Sequence, residues 1–345
     1  MKAIVLKKFG DLSHFSFEEL SLPEPKDGEV RIKIKAVGFN PVDYKTRKGS
    51  YPVALPVILG ADCSGFIDKI GANVSNFEPG DEVIAFVFGQ GSNGTYAEYV
   101  CIDASFVARK PKKLSFETAA TIPLASLTAY RALINTGALQ SKKACFIAGG
   151  SGGVGSIALQ LARYFHAHPI FTTAGSEESV NYLCQVLKIP KSHVLNYRGL
   201  SLEQLQAELI KMNGGQLLPA TFDLVGNEMK KLCFAVVDYS GHVASILPER
   251  KDFPLEVWNR SESIAFSKSL TVHFISIGAE SFTPHKEKWS IYHANLKEIV
   301  SLIDSGVLVI TAPTVVGQLG IEAVKLAHTL LEEGHVKGKL AMIVS

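Results

Sequence analysis

Apolar and polar side chains alternate in short runs through roughly the first 110 residues, and Gly and Pro punctuate the runs. From Glu29 to Phe39, Val30, Ile32, Ile34 and Ala36 fall on one face and Arg31, Lys33 and Lys35 on the other, the period-two pattern of a half-buried strand. Residues 64–70, 82–87 and 94–102 read the same way, with a turn signal at Glu78-Pro79-Gly80-Asp81. Strands at this spacing predict a closed or nearly closed β unit. The texture changes near Ser115, a predicted N-cap for a short helix, and residues 123–134 read as a longer one. Strands and helices then alternate: strand 143–148, helix 153–165, strand 169–174, helix 177–188, a short extended piece 193–197, helix 201–212, strand 221–225, helix 228–237, and strands 241–246 and 269–277. Such alternation predicts an α/β architecture with a parallel sheet covered by helices on both faces. The tail carries an amphipathic helix (Ile291, Leu296, Ile299, Leu302, Ile303), an extended stretch 307–316, a helix at 320–333 and a strand at 340–344.

The clearest punctuation lies between strand 143–148 and the helix after it. The apolar run stops at Gly149, and Val154, Ile157, Ala158, Leu161, Ala162 and Phe165 then follow at helical spacing. Between them, Gly150-x-Gly152-x-x-Gly155 has the strand–turn–helix setting of a phosphate cradle. Gly150 would allow the tight turn, Gly152 the approach of a pyrophosphate, and Gly155 close packing of helix on strand. Backbone N–H groups from Ser151 through Gly153 and Val154 would face the anion. A Gly-rich turn without a ligand is the plain alternative, and five glycines in seven residues argue against it. The sharper rival is hydrolytic, because residues 149–153 also fit Gly-x-Ser-x-Gly, with Ser151 as nucleophile, Asp223 as acid and a later histidine. A β-only block of more than a hundred residues ahead of the loop, with no His-Gly-Gly-Gly segment, fits a hydrolase poorly.

Composition narrows the class further. The chain has 345 residues, 47% hydrophobic and 20% charged, as expected of a soluble globular protein of one large or two ordinary domains. A net charge of +2 gives no electrostatic case for nucleic acid or a membrane surface. No apolar run approaches a transmembrane span, and residues 3–6, followed by Lys7 and Lys8, are too short for a leader core. Five scattered cysteines without a Cys-x-x-Cys suit reduced thiols in a cytoplasmic protein. Internal repeats and low-complexity segments are absent from the sequence.

In this order the motifs resemble the medium-chain dehydrogenase/reductase superfamily, closest to its zinc-independent quinone oxidoreductase (zeta-crystallin-like) branch, over essentially the whole chain. The carriers are Gly-Phe-Asn-Pro-Val-Asp at 38–43 with Arg47-x-Gly49, Leu-Gly-Ala-Asp-Cys-Ser-Gly at 59–65, and Pro-Gly-Asp-Glu-Val at 79–83. Further carriers are Gly-Thr-Tyr-Ala-Glu-Tyr at 94–99, residues 123–131 with Thr128, the glycine loop, and Val-Leu-Asn-Tyr-Arg at 194–198. Phe-Asp-Leu-Val-Gly at 222–226 and the closing 327–339 complete them. The resemblance implies a GroES-like β-rich catalytic domain, 1–122 with 278–345, and a Rossmann doubly wound parallel sheet domain, 123–277. A catalytic zinc needs three protein ligands. Zinc-type relatives supply an early Cys and a Gly-His-Glu histidine, where this chain has Asn40-Pro41-Val42-Asp43 and Gly60-Ala61-Asp62. The four cysteines of a structural zinc lobe are missing, and His166-x-His168 has no third partner in sight, so no metal is expected.

The resemblance also implies a nicotinamide cofactor. No Asp or Glu ends strand 169–174, and the small hydroxylated residues there leave room for a 2′-phosphate, with Ser176 and Tyr197 implied as binders. Glu177 and Glu178 stand where a basic residue is usual, and Arg198 is the candidate to supply the charge; NADPH therefore leads, with NADH the alternative. Hydride transfer to a quinone or conjugated enone needs positioning and hydrogen bonding more than acid–base machinery. Asn40, Tyr44 and Tyr51 are the candidate catalytic residues and Thr128 a nicotinamide contact, the substrate lying in a cleft between domains. Asn40 is equally readable as an Asn-Pro turn former, Asp43 as a structural partner of Arg47, and Phe86 and Phe88 as slot walls or strand packing. A homodimer paired along 270–277 is a family expectation. The alternatives are an alcohol dehydrogenase-like carbonyl reductase and a non-catalytic NADPH-binding or redox-sensing protein.

Overall fold

Among the described residues, the strand Glu29–Phe39 is the spine of a seven-stranded sheet. The sheet runs Thr314–Gln318, Leu340–Ile343, Glu29–Phe39, Asp62–Ile70, Glu82–Phe86, Val107–Arg109, with Tyr99–Asp103 also pairing Glu29–Phe39. All pairings are antiparallel except that of Thr314–Gln318 with Leu340–Ile343. The computed structural model describes residues 1–51, 53–89, 94–248, 263–334, 336 and 338–345. Val30, Ile32, Ile34 and Ala36 are buried as their spacing predicts. Arg31, on the face expected to be solvated, is only 8% exposed. It ion-pairs with Asp68 at 2.6 Å and Glu24 at 3.0 Å, donates to the Pro23 carbonyl at 2.9 Å, and lies over the Tyr99 ring. An arginine stem covers apolar surface while its head stays paired, so outward alternation does not guarantee exposure.

A small sheet of Phe15–Glu19, Lys2–Leu6 and Val57–Ile58 adjoins this one through a bridge between Ala3 and Ala97. Four consecutive buried residues in Lys2–Leu6 hide the strand from a period-two reading. Of residues 94–102 only Tyr99–Asp103 is a strand, because the N–H groups of Thr95 and Tyr96 turn to the carbonyls of Gly60 and Leu59. The expected extension at 307–316 likewise becomes a strand only at Thr314–Gln318. Phe86 is fully buried in an aromatic cluster with Phe106 and Tyr292, the latter on helix Ser290–Asp304, at centroid distances of 6.4 and 5.6 Å. Phe88, half-buried, stacks on Phe86 at 5.8 Å. Core packing accounts for the burial of Phe86.

The second sheet is wholly parallel, in the order Val194–Asn196, Ile170–Ala174, Cys145–Ala148, Leu218–Asp223, Val237–Ser245, Thr271–Phe274. From Cys145–Ala148 the chain builds outward first to one side and then to the other. Right-handed crossovers in opposite directions put the connecting helices on opposite faces, so this is a doubly wound sheet. Its helices begin where capping chemistry permits. Ser201 accepts the Gln204 N–H at 3.3 Å while the Gln204 side chain accepts the Ser201 N–H at 2.8 Å, opening Leu202–Met212. Ser115 caps Phe116–Ala119 by accepting the Thr118 N–H at 3.3 Å. The predicted helix 177–188 is instead Glu177–Asn181 continued by a wide π turn, Tyr182–Val186.

Two compact units result, Met1–Leu127 with Gly278–Ser345, and Thr128–Ile277. Helix Pro123–Tyr130 carries the chain across the division. Among the described residues, no helix is long and apolar enough to cross a membrane. Removing the Phe86 ring should leave a cavity among Phe88, Phe106 and Tyr292 and cost about 3–5 kcal/mol. Phe86→Ala is therefore expected to lower the denaturant midpoint strongly and Phe86→Leu much less. A Phe86→Ala protein of unchanged stability would return the residue to the candidate substrate wall.

Candidate functional site

In an open parallel sheet the carboxyl ends of the strands beside the order reversal form a natural crevice. Here the reversal lies at Cys145–Ala148, and the glycine loop leaves its end. The glycines have separate duties. Gly149 takes the left-handed turn with φ +80°, the role sequence reasoning assigned to Gly150. Gly150 is needed for space, since a Cβ there would lie 2.2 Å from Thr172 Oγ1. A Cβ on Gly155 would lie 2.1 Å from the Gly149 carbonyl oxygen, which is the close helix–strand approach expected of it.

Helix Gly153–Tyr164 starts at Gly152, and its first intrahelical bond runs from the Ser156 N–H to the Gly152 carbonyl. The N–H groups of Gly153, Val154 and Gly155 precede that bond and have no acceptor within the helix. Gly152 is exposed, and nothing approaches a Cβ built there closer than 3.4 Å, so the space before the helix start is open. An open, N–H-lined helix start fits a phosphate. Neighbouring strands brace it: the Gly149 N–H donates to Thr173 Oγ1 at 2.9 Å and the Gly150 N–H to Thr172 Oγ1 at 3.0 Å. Thr172 Oγ1 in turn donates to the Ile147 carbonyl at 2.7 Å. Both threonines are buried, and their hydroxyls are engaged by the loop.

Asp223, at the end of the next strand, is buried, and its carboxylate accepts the N–H groups of Gly226 (2.6 Å) and Val225 (3.1 Å) and the Ser245 hydroxyl (2.6 Å). With both oxygens engaged in shaping that turn, it cannot orient a histidine for Ser151. The hydrolytic arrangement falls on that geometry. Val225 faces the glycine loop, its Cγ2 lying 2.5 Å from where a Cβ of Gly149 would be. Thr172, Thr173 and Val225 were missed as parts of this site, and Asp223 was weighed only as a hydrolytic acid, not as the residue that shapes the turn. Their available signals were paired threonines ending an apolar strand and an Asp two and three residues before the N–H groups it captures.

Ser176 and Tyr197 follow adjacent parallel strands. The Tyr197 ring leans over Gly175, where a Cβ would come within 2.3 Å of Oη. The Ser176 hydroxyl accepts the Ser179 N–H at 3.2 Å as N-cap of Glu177–Asn181. Glu177 turns to Lys191 at 3.8 Å. Arg198 is exposed, and its guanidinium has no ion-pair partner among the described residues. Thr128 is buried in helix Pro123–Tyr130.

Asn40, Tyr44 and Tyr51 belong to the other unit. Asn40 ends the spine strand and caps helix Pro41–Arg47, its backbone N–H donating to Asp43 Oδ2 at 2.8 Å. The turn-former reading holds for this backbone, and the Asn40 side chain does further work. It is 1% exposed, its Nδ2 donates to Asp62 Oδ2 at 2.8 Å, and its Oδ1 accepts from Lys339 Nζ. Burial pushes Asp43 up to about 7 and Asp62 to about 6, and the Lys339 ammonium opposes both shifts. Asp43 does not pair Arg47, as had been expected; Arg47 pairs Glu332 and donates to the Gly10 carbonyl at 2.7 Å. The Tyr96 hydroxyl, also bonded to Asp43, lies 3.0 Å from His328 Nε2. His328 is held down to about 3, chiefly by burial and then by Arg47, and is neutral. Tyr44 is half-buried, and burial followed by the neighbouring Tyr51 raises its phenol. Among the described residues, no group of three or more His, Cys, Asp or Glu is placed to hold a metal.

The model of the alcohol dehydrogenase GroES-like domain matches residues 26–112, and that of a zinc-binding dehydrogenase matches residues 192–342. The chain is 31% identical over 353 aligned positions to a zinc-type alcohol dehydrogenase-like protein of Staphylococcus epidermidis, across 99% of both chains. It is 31% identical over 264 positions to the 2-methylene-furan-3-one reductase of Solanum lycopersicum, covering 67% of this chain and 68% of that one. The solved structure of Escherichia coli quinone oxidoreductase complexed with NADPH is similar at TM-score 0.82 and 26% identity, covering 99% of this chain and 100% of that one.

Two substitutions separate packing from ligand space in the loop. Gly155→Ala forces a Cβ against the Gly149 carbonyl and is expected to destabilise by about 1–3 kcal/mol. Gly152→Ala, with 3.4 Å of clearance, should melt within a degree or two of the parent. Scanning calorimetry of both variants checks the difference, and equal melting points would refute the packing assignment.

Proposed function

The chain belongs to the medium-chain dehydrogenase/reductase superfamily, in its quinone oxidoreductase branch, and we propose that it is a zinc-independent, NADPH-dependent reductase of quinones or other α,β-unsaturated carbonyls. The observation that carries this reading is the open helix start at Gly152, braced by Thr172 and Thr173 at the order reversal of a parallel sheet. Gly150, Ser151, Gly152, Gly153, Val154 and Gly155 hold the pyrophosphate by backbone. Ser176, Tyr197 and Arg198 take the 2′-phosphate, Arg198 being exposed and free of an ion pair among the described residues. Thr128 and Asn40 contact the nicotinamide end. When bound, the reduced nicotinamide supplies a hydride.

A zinc does not fit the residues at Asn40 and Ala61. A methyl group cannot ligate, and the Asn40 amide is already held between a carboxylate and an ammonium. No step is therefore routed through a metal. Instead Asn40 donates a hydrogen bond to the ligand, and Tyr44 and Tyr51 donate to the oxygen that gains charge. Tyr44, raised by burial, stays protonated and able to donate at neutral pH. The sequence relationship to an enone reductase supports a conjugated carbonyl acceptor.

The same reading makes the protein a homodimer. Thr271–Phe274 closes the parallel sheet order with one side unpaired among the described residues, and Phe274 there is 48% exposed. An unpaired edge with an exposed aromatic is a template for a second copy.

Steady oxidation of NADPH, followed at its absorbance band with a panel of quinones and enones, is the direct test. Turnover is expected with conjugated acceptors and far less with simple ketones; NADPH binding without turnover would leave a non-catalytic binder and sink the enzyme reading. Ser151→Ala should keep most of that activity, whereas Gly152→Ala should weaken NADPH binding at least tenfold while melting normally. Light scattering should give a mass of two chains, and a one-chain mass would refute the edge pairing.

A further inference from the structure

Charge of opposite sign holds the two ends of the Asn40 amide. Lys339 Nζ donates to Asn40 Oδ1 and, at 3.1 Å, to the Phe39 carbonyl. Asn40 Nδ2 donates to Asp62 Oδ2 at 2.8 Å, while Asp62 Oδ1 accepts the Leu124 N–H at 2.9 Å, one turn before Thr128 on the same helix. An amide has one acceptor and two donors, and only one orientation satisfies this surround. Flipped, it would aim its NH2 at an ammonium and its oxygen at a carboxylate, replacing two charge-assisted bonds by two repulsions at a buried position. The second Nδ2 hydrogen has no partner among the described residues. Asp62 and Lys339 have no role in the mechanism as described above.

Resting on the functional reading above, we propose that Asp62 and Lys339 are positioning residues that lock the Asn40 amide in one flip state, presenting its free N–H as a fixed donor to an acceptor oxygen of the bound ligand. That oxygen belongs either to the substrate carbonyl or to a hydroxyl of the nicotinamide ribose; both are neutral acceptors calling for the same donor. A donor fixed in advance needs no reorganisation as charge develops on the oxygen, which is where such a group gains its catalytic value. Lys339 has a second duty in the same place. It is the cation facing both buried carboxylates, Asp43 and Asp62. The other titratable groups around them are the Tyr96 phenol, the buried Cys63 thiol beside Asp62 and the neutral His328, with Arg47 paired to Glu332. Asp62 accepts from Asn40 best as a carboxylate, and the ammonium keeps it ionised at lower pH than burial alone would allow.

The test is a double-mutant cycle in the full chain. Asn40→Ala should lower kcat/KM by about 10²–10³-fold, the usual loss for one such donor. Asp62→Asn and Lys339→Met should each cost at least about tenfold, and Lys339→Arg should restore most of the loss by returning charge and donors. In the Asn40→Ala background, Lys339→Met should cost little more, because its effect runs through the amide. The Lys339→Met pH profile should lose activity on its acidic side, that limb moving up by about one to three pH units as the carboxylates lose their cation. NADPH affinity, read by fluorescence in every variant, separates the two sources of the oxygen. Affinity within about twofold of the parent assigns the donor to the substrate carbonyl, and a parallel loss assigns it to the ribose. Additive losses in the cycle, or full activity in Asp62→Asn and Lys339→Met, overturn the positioning role while leaving the reductase intact. A parent protein that binds NADPH but turns over no quinone or enone overturns the functional reading and this proposal with it.

Discussion

The parallel unit depends on one steric constraint: the Gly149 carbonyl oxygen leaves no room for a side chain at residue 155. A helix that begins this close to the strand it follows must place its first N–H groups beyond the carboxyl end of that strand. The neighbours adapt to the same approach. Thr172 from one adjacent strand occupies the space in which a Cβ of Gly150 would fall, and Val225 after the other closes over Gly149. Asp223 fixes the turn that carries Val225 by taking two backbone N–H groups and a serine hydroxyl. The anion cradle is thus a by-product of packing at the sheet's order reversal. Its binding chemistry is mostly backbone, so it could be built without a single charged side chain.

The antiparallel unit works by the opposite principle, with charge taken into the interior. Two carboxylates buried together would be expensive if left alone. Each is held by directed donors, Asn40 and Leu124 on Asp62, and Asn40 and Tyr96 on Asp43, and Lys339 supplies the counter-charge. The far end of this network is kept uncharged, since His328, fully buried beside Tyr96, is neutral. A divalent metal with thiolate and imidazole ligands would organise such a place by coordination. With Asn40 and Ala61 in those positions, the chain organises it with an ammonium and an amide instead.

What could be read from the residues alone divides along the same line. The glycine loop was legible because its constraints are local: a strand, a turn and a helix within some twenty residues, each with its own period. The spine Glu29–Phe39 was legible in the same way, as were the Ser115 and Ser201 helix starts and the doubly wound parallel class, though not its strand order. Lys2–Leu6 was not, since a run of buried residues carries no alternation, and Arg31 was misplaced because its partners Glu24 and Asp68 sit on other segments. Spacing suggested Asp43 with Arg47, but the fold offers Asp43 the Asn40 N–H and gives Arg47 to Glu332. The Asn40 surround was the least legible of all, because Lys339 lies 299 positions away in sequence and reaches it only through the pairing of Leu340–Ile343 with Glu29–Phe39.

That distance bears on what each unit asks of its own residues. A backbone cradle tolerates many side chains provided the glycines stay, so it serves as a general holder for a phosphorylated reagent. A single amide hydrogen is a poor determinant by itself, because a free asparagine samples both flip states and either end can meet a ligand. Fixing it takes three chain segments, the end of the spine strand, the start of strand Asp62–Ile70, and the entry to strand Leu340–Ile343 at Lys339. The return of the chain after residue 278 to the first unit is what brings the third of these into place. On the reading proposed here, the C-terminal return is therefore part of the site: it supplies the charge that turns Asn40 from a turn former into a donor with one direction.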